Sequence, residues 1–381
     1  MKFCKLCVFP DTKPDLTFNE HGVCSACQFA ARKKATIDWE ARKKELLAIV
    51  DRFRSRNGYY DCIVPVSGGK DSTFQVWYMK YKLGMNPLAV HFEPTCRTEL
   101  GLKNLKALRN LGVDLISWDK NPHVYRAMGL EAFKRVGDHE WPNHIGIFTV
   151  PVITAVKFKI PLLIWGENSQ SEYGGPASAQ DSNILNRRWL EEFGGLLGNR
   201  IYDMIGVDGI TEKDVIPYLY PSDKELEEVG VTGLFLGHYI PWDARSQIEV
   251  VKEFGWSPKS DGPVEGTYGN HENLDESTYY IHDYLKYVKF GFGRATDHAG
   301  IDIRNGRITR EEACKLVREH DGRYPKEHLK AFLEFYKMSK SEFDKVIDSY
   351  TNKKIFKRRS DGSFEREADG SLIKLYHPDN V

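Results

Sequence analysis

Apolar and polar positions change their rhythm along this chain. Residues 38–56 place Trp39, Leu46, Leu47, Val50 and Phe53 at helical spacing with charge on the opposite face, the pattern of an amphipathic helix that links what flanks it. The rhythm then shortens. Residues 61–66 form a short apolar run of strand type with a glycine loop directly behind it. Residues 72–83 read as a helix stopped by Gly84, residues 87–92 as a second strand, and residues 99–111 as a helix carried by Leu100, Leu105, Leu108 and Leu111. A third strand at 113–118, helices over 122–136 and 143–158 and a fourth strand at 161–165 follow. Strands alternating with helices predict an α/β fold, a doubly wound parallel sheet covered on both faces.

The later half is less regular. Residues 167–275 are rich in Gly, Asn, Asp and Tyr, with helices expected near 181–193 and 211–217 and a strand near 231–236. A tyrosine-rich helix is expected at 277–292, and its Tyr and Phe side chains read as core. Helical stretches at 309–319, 325–335 and 339–349 come before a polar tail from 353 onward. The division that results is a cysteine module at 1–35, a linker helix at 36–58, an α/β domain at 59–250 and a mainly helical region at 251–381.

Composition narrows the class. Of 381 residues 41% are hydrophobic, and 54 basic side chains balance 54 acidic ones. A zero net charge gives no global attraction to nucleic acid or to an anionic membrane. No run of 18 apolar residues predicts a membrane span, and residues 1–10 lack the apolar stretch of a signal peptide. The seven cysteines are an odd number, which favours a reducing cytoplasm over a disulfide framework.

Two motifs carry chemistry. The first is Val66-Ser67-Gly68-Gly69-Lys70-Asp71-Ser72, set between a strand and a helix. Gly68 and Gly69 let backbone N–H groups approach phosphate oxygens, Ser67 and Ser72 add hydroxyls, and the helix directs its positive end at the anion. Lys70 offers a charge or is simply exposed. Asp71 suits a phosphate site where it caps the helix or meets a magnesium ion. The spacing is not that of the Walker loop. The second motif is Cys4-x-x-Cys7 and Cys24-x-x-Cys27. Four thiolates so spaced close a tetrahedral zinc site, and a short ribbon of this kind needs its metal in order to fold. A redox dithiol is the competing reading.

The six residues from Ser67 to Ser72 resemble the signature of the PP-loop ATP pyrophosphatases, whose HUP-like α/β domain adenylates a carbonyl or amide oxygen. In that superfamily the end of the second strand, here His91 and Phe92, meets adenine. Three stretches narrow the resemblance further: residues 4–12, residues 165–175 (WGENSQSEYGG) and residues 292–298 (FGRATDH). They resemble the N-acetyl sugar amidotransferase family of lipopolysaccharide and flagellar-glycan biosynthesis. That resemblance implies an enzyme that uses ATP and magnesium, with structural zinc, to turn an acetamido group into an acetamidino group. It implies ammonia from a glutaminase partner through a cyclase-like channel subunit. The chain shows no glutaminase nucleophile of its own: Lys2 follows Met1, and neither Cys96 nor Cys314 is flanked by glycine.

Glu167 and Asn168 follow the fourth strand, where ligands of open α/β sheets bind. Glu167 is placed to hold magnesium or orient ammonia, or else caps a helix. Asn168, Glu172, Tyr173 and Gly174 form a candidate substrate loop. Lys286, Lys289, Arg294 and Asp297 fall in the tyrosine-rich helix and the loop after it, where cations reach phosphates, although Lys286 equally suits a solvated face. The catalytic candidates are therefore Lys70, Asp71, Glu167 and Arg294, with Lys289 among those for substrate. His271, His282 and His298 show no ligand-like spacing. The alternatives are a PP-loop tRNA thiolase, a sulfonucleotide reductase and a non-enzymatic scaffold. The first wants a reactive cysteine pair and a basic face, and the second a cysteine near the C-terminus; neither is present.

Overall fold

The computed structural model describes residues 1–176, 179, 182–185 and 187–380. Five parallel strands lie in the order β3-β2-β1-β4-β5, with β1 Cys62–Val66, β2 Pro87–Phe92, β3 Asp114–Trp118, β4 Leu162–Trp165 and β5 Thr232–Phe235. The chain reverses direction of travel across the sheet between β1 and β4, so the carboxyl ends of these two strands flank a crevice. Register runs Val66 opposite His91 and Ile63 opposite Leu163. β2 and β4 are buried throughout, because helices cover both faces.

Two apolar layers hold the sheet. On one face α2 (Trp39–Phe53), α3 (Lys70–Trp77) and α4 (Glu99–Ala107) bring Leu46, Val50, Phe74 and Leu105 into one core with Val64 and Ile164. On the other, α5 (Pro122–Val136) and α6 (Trp141–Phe158) bring Met128, Trp141 and Val150 against Ile63, Leu88 and Leu163. Local chemistry sets the helix ends. The Asp38 carboxylate accepts from Ala41 N–H, the Asn121 amide oxygen from His123 N–H, and Gly137 closes α5 at φ +65°.

Several expectations are corrected. The helix after the glycine loop begins at Lys70 and passes into a π-helical turn at Tyr78–Lys82 before Gly84. The helix expected near 181–193 is seen at Arg187–Phe193; residues 182–185 are not helical, and 181 and 186 fall outside the described residues. Residues 294–304, expected as loop, form the helix Arg294–Arg304. Helices α1 (Ser25–Thr36), Asp223–Val229 and Ala244–Lys252 were not anticipated. The tail after 353 is paired through bridges such as Phe356 to Lys374, and it buries Ile355, Phe356, Phe364 and Leu372 against Tyr280, Tyr284 and Phe332. No helix among the described residues is long and apolar enough to cross a membrane.

Candidate functional site

The glycine loop connects β1 to α3 at the crevice. Gly68 takes φ +83°, and a Cβ there would lie 2.9 Å from the Leu105 backbone nitrogen, so both backbone shape and space demand glycine. The loop is tied from inside. Ser67 N–H donates to the Ser72 hydroxyl at 3.3 Å, Gly69 N–H to the Ser67 hydroxyl at 3.2 Å, and Trp256 Nε1 to the Gly68 carbonyl at 3.2 Å. Gly69 caps α3, whose free N–H groups open toward the crevice.

Two cavities meet on either side of this loop, and Glu167 lines both. The first, about 310 Å³, is mostly apolar and is lined by Val66, Ser67, Ser72, Val90, Phe92, Phe148, Trp165 and Phe235. Its shape and chemistry suit a flat heteroaromatic ring beside the glycine loop. The second, about 470 Å³, is charged and is lined by Lys70, Asp71, Glu172, Tyr173, His271, Glu272, Tyr279, Arg294, His298, Asp302 and Arg307.

Lys70 is not the exposed cation that sequence alone allowed. Its side chain is 4% exposed, and its Nζ lies 2.6 Å from an Asp71 oxygen and also pairs with Glu272. Burial works against the ammonium charge, but Asp71 and Glu272 outweigh it and hold the pKa above the ordinary lysine range. Burial likewise pushes Glu272 upward, and Lys70, His298 and Arg294 overcome it, so this carboxylate stays ionised well below the usual range. Glu167 behaves oppositely. Burial, reinforced by the charge of Asp71, lifts it to about 7. The cleft thus holds one carboxylate fixed as an anion and another poised to exchange a proton near neutrality.

Arg294 opens its helix and lines the cleft, with Nε 3.3 Å from Asp283 Oδ2. His298 and His271 stack at 6.1 Å with rings 15° apart, and burial lowers the pKa of both, His298 to about 4. Tyr268 O–H donates to Asp302 at 2.9 Å, and Arg307 joins Asp302 to Asp243. Glu272 and Asp302 were missed because they have no local motif, and His271 and His298 were set aside because they show no ligand-like spacing. Only packing brings them beside the loop.

Other candidates are placed elsewhere. His91 is buried outside both cavities, its Nδ1 2.7 Å from the Val66 carbonyl, while its strand neighbours Val90 and Phe92 line the apolar pocket. Asn168 caps α7 (Ser169–Tyr173), and its Nδ2 donates to the Ala179 carbonyl at 2.7 Å. Gly174 faces the cysteine module: a Cβ there would lie 2.8 Å from Ala26 Cβ. Glu172 pairs with Lys33 of α1 at 2.7 Å. Lys289 caps α5, donating to the Val136 and Gly137 carbonyls at 2.9 and 2.8 Å, away from the cleft. Lys286 is not on a solvated face; it pairs with Asp297 at 2.6 Å. Tyr280, Tyr284 and Tyr287 are core, as their pattern suggested, whereas Tyr279 lines the cleft.

Cys4, Cys7, Cys24 and Cys27 are buried with their sulfurs within 4.8 Å of one another. Cys7 and Cys24 Sγ are 3.6 Å apart, close to the edge of ~3.8 Å that a tetrahedron of ~2.3 Å zinc–sulfur bonds requires. Cys7 N–H and Cys24 N–H both point at Cys4 Sγ, as thiolate ligands need. The four residues fit a closed structural zinc ion. They leave no position for a reacting ligand.

Comparison with known proteins gives partial matches. Over 134 residues the chain is 28% identical to an uncharacterized protein of Methanocaldococcus jannaschii, covering 35% of this chain and 47% of that one. Among solved structures, NMN synthetase from Francisella tularensis is 14% identical with a TM-score of 0.28, covering 51% of this chain and 92% of that one. The NH3-dependent NAD synthetase from Campylobacter jejuni is 10% identical with a TM-score of 0.29, covering 59% and 99%. The U34-tRNA thiolase NcsA from Methanococcus maripaludis is 14% identical with a TM-score of 0.27, covering 81% and 87%. At such scores these are neighbours in outline only. Residues 273–368, which supply Tyr279, Arg294, His298 and Asp302 to the cleft, match the C-terminal domain of the WbpG-like LPS biosynthesis proteins.

Proposed function

We propose that this chain is an ATP-dependent amidotransferase. It converts the acetamido group of an N-acetyl sugar, carried as a nucleotide sugar or a nonulosonic acid, into an acetamidino group. The observation that supports this most is Glu167, shared between an apolar pocket and a charged cleft with the phosphate loop between them. A ring bound on one side and a polar substrate on the other would bring their reacting atoms together at that residue.

ATP supplies an α-phosphorus that makes the amide oxygen part of an AMP leaving group, with pyrophosphate released. The residues of the chain do the rest. The N–H groups of the first turn of α3 would hold the departing pyrophosphate, and Asp71 would hold the magnesium that accompanies it. Arg294, Tyr173 and Tyr279 orient the sugar. Glu167, ionised in part near neutral pH, accepts the proton that ammonia loses as the new C–N bond forms and AMP departs. Positioning and charge stabilisation account for the rate, because little covalent help is needed. Ammonia comes from a partner glutaminase through a cyclase-like subunit, in the cytoplasm, where ATP and reduced thiols are available.

The test is mass spectrometry of acetamido sugars incubated with protein, ATP, magnesium and ammonium. Replacing oxygen by NH lowers the product mass by about one unit, with AMP and pyrophosphate in equal amounts. Asp71→Ala should abolish this with metal content unchanged. Pyrophosphate release with tRNA and none with sugars would move the chain to the thiolase reading. Efficient use of glutamine by the isolated chain would remove the partner.

A further inference from the structure

Behind the apolar pocket lies a group of buried polar side chains that the proposed mechanism does not use. The wall of the pocket on that side includes Phe92, Pro94, Asn143 and Asp275. Asn143 Nδ2 donates to Glu140 Oε2 at 2.8 Å, so Glu140 stands one hydrogen bond behind the wall. Glu276 follows Asp275 in the chain; its Oε1 accepts from Thr278 O–H at 2.7 Å and lies 3.4 Å from Cys96 N. Lys120 closes the group, its Nζ over the rings of Phe92 and Tyr125 at 4.8 and 4.5 Å. Glu140 is 0% exposed, Tyr125 1%, Glu276 3% and Tyr218 4%.

Three hydroxyl oxygens in this region have no hydrogen-bond partner, Thr95 Oγ1, Tyr125 O–H and Tyr218 O–H, and Glu140 Oε1 has His139 Nδ1 beside it at 3.1 Å. Buried oxygens are almost always paired, so orphans gathered together point to a small guest that donates in several directions. Charge points to the kind of guest. Among the described residues Glu140 and Glu276 face one cation, Lys120, because burial lowers the pKa of the adjacent His139 to about 3, and burial with the nearby Glu276 charge drives the Glu140 pKa far upward. A small cation carrying several N–H donors would satisfy both the orphan oxygens and the missing charge.

We propose that Glu140, Glu276, Thr95 and Tyr125 form a holding site for one ammonium ion behind the apolar pocket, one side chain away from the cavity that Glu167 lines. Transfer of one proton from ammonium to Glu140 Oε1 leaves neutral ammonia and a neutral acid, a pair that a buried site favours over two charges. Asn143 is the side chain that ammonia passes on its way into the pocket. The role assigned to the ion rests on the amidotransferase reading; the site itself does not.

Crystals of the full chain grown without ammonium and soaked in thallium(I) acetate test the site directly. The expected result is an anomalous peak within coordinating distance of Glu140 and Glu276 that ammonium displaces. An ordered water there without anomalous signal overturns the proposal. So does displacement by potassium at the same concentration as by ammonium, because the site would then be a general alkali-cation site. In solution, Glu140→Gln should raise the ammonium KM about ten- to a hundredfold, the loss of one charge-assisted contact, with KM for ATP and sugar unchanged. Glu276→Gln carries the same comparison if Glu140→Gln fails to fold. An unchanged ammonium KM in the folded variant overturns the proposal. A thallium peak that ammonium displaces, in protein that makes no acetamidino sugar, keeps the site and removes the reaction.

Discussion

The glycine loop and the charged cleft opposite it are built in contrasting ways. The loop is six consecutive residues, and its shape follows from Gly68 at φ +83°, two serine hydroxyls and the start of α3. The cleft draws Asp71 from one stretch of chain, Glu167 and Tyr173 from a second, His271 and Glu272 from a third, and Arg294, His298 and Asp302 from a fourth. The loop is therefore fixed by local chemistry and the cleft by tertiary packing. They meet in Lys70, a loop residue whose ammonium is held by Asp71 beside it and by Glu272 about 200 positions away.

Breaking that meeting point should give the largest effect. Lys70→Met leaves two half-buried carboxylates without their cation, which costs about 2–3 kcal/mol. Urea unfolding would show it, and Glu272→Gln should recover part of the loss in the double mutant. Recovery by less than the error of the measurement would mean that loop and cleft are energetically separate.

The next effect concerns Glu167, which belongs to both cavities. Pyrophosphate release should rise as pH climbs through about 7 and flatten in Glu167→Gln. Stability should move the other way. Below the ordinary carboxylate pKa the group is protonated in both folded and unfolded chains. As pH rises toward about 7 the unfolded chain loses its proton first, so folding is penalised. Glu167→Gln should remove that decline in thermal unfolding measured across the window; an unchanged slope would place the titration elsewhere.

The smallest effect tests how far the cleft depends on the cysteine module. Lys33→Ala removes the ion pair with Glu172 and should cost about 1 kcal/mol or less of stability. On the proposed reaction it should raise the sugar KM modestly without changing the KM for ATP, because Glu172 lines the charged cleft and not the apolar pocket.

The contrast between loop and cleft also explains what the sequence revealed. The five strands were legible because each is a short apolar run beside turn residues, and the glycine loop because its function sits in neighbouring positions. The helix Arg294–Arg304 was missed because its start lies among glycines and its buried residues include Thr296, Asp297 and Asp302, so no apolar stripe marks it. Helix α1 was missed because its RKK run masks the few apolar contacts it makes. Lys70 reads as either a phosphate-facing charge or an exposed one because nothing nearby in sequence announces Glu272. His91, Asn168, Gly174 and Lys289 are each at or near the expected place in the fold, but their hydrogen bonds or contacts are directed elsewhere. Residue type and position along a strand or helix do not fix the direction in which a side chain finds its partner.

The cysteine module also fixes an order of events during synthesis. Thr12 donates to the Phe290 carbonyl, Phe9 meets Phe292 edge to face at 6.2 Å, Arg310 reaches the Cys7 carbonyl and Lys374 lies over the Phe3 ring. The module leaves the ribosome long before these docking surfaces exist. A metal held by its four thiolates would give it a shape that it can keep while it waits, and the arrival of residues 290–374 would then seat it against α7. A cell short of that metal would accumulate chains whose α/β sheet is complete and whose cleft wall beside Glu172 was never fastened.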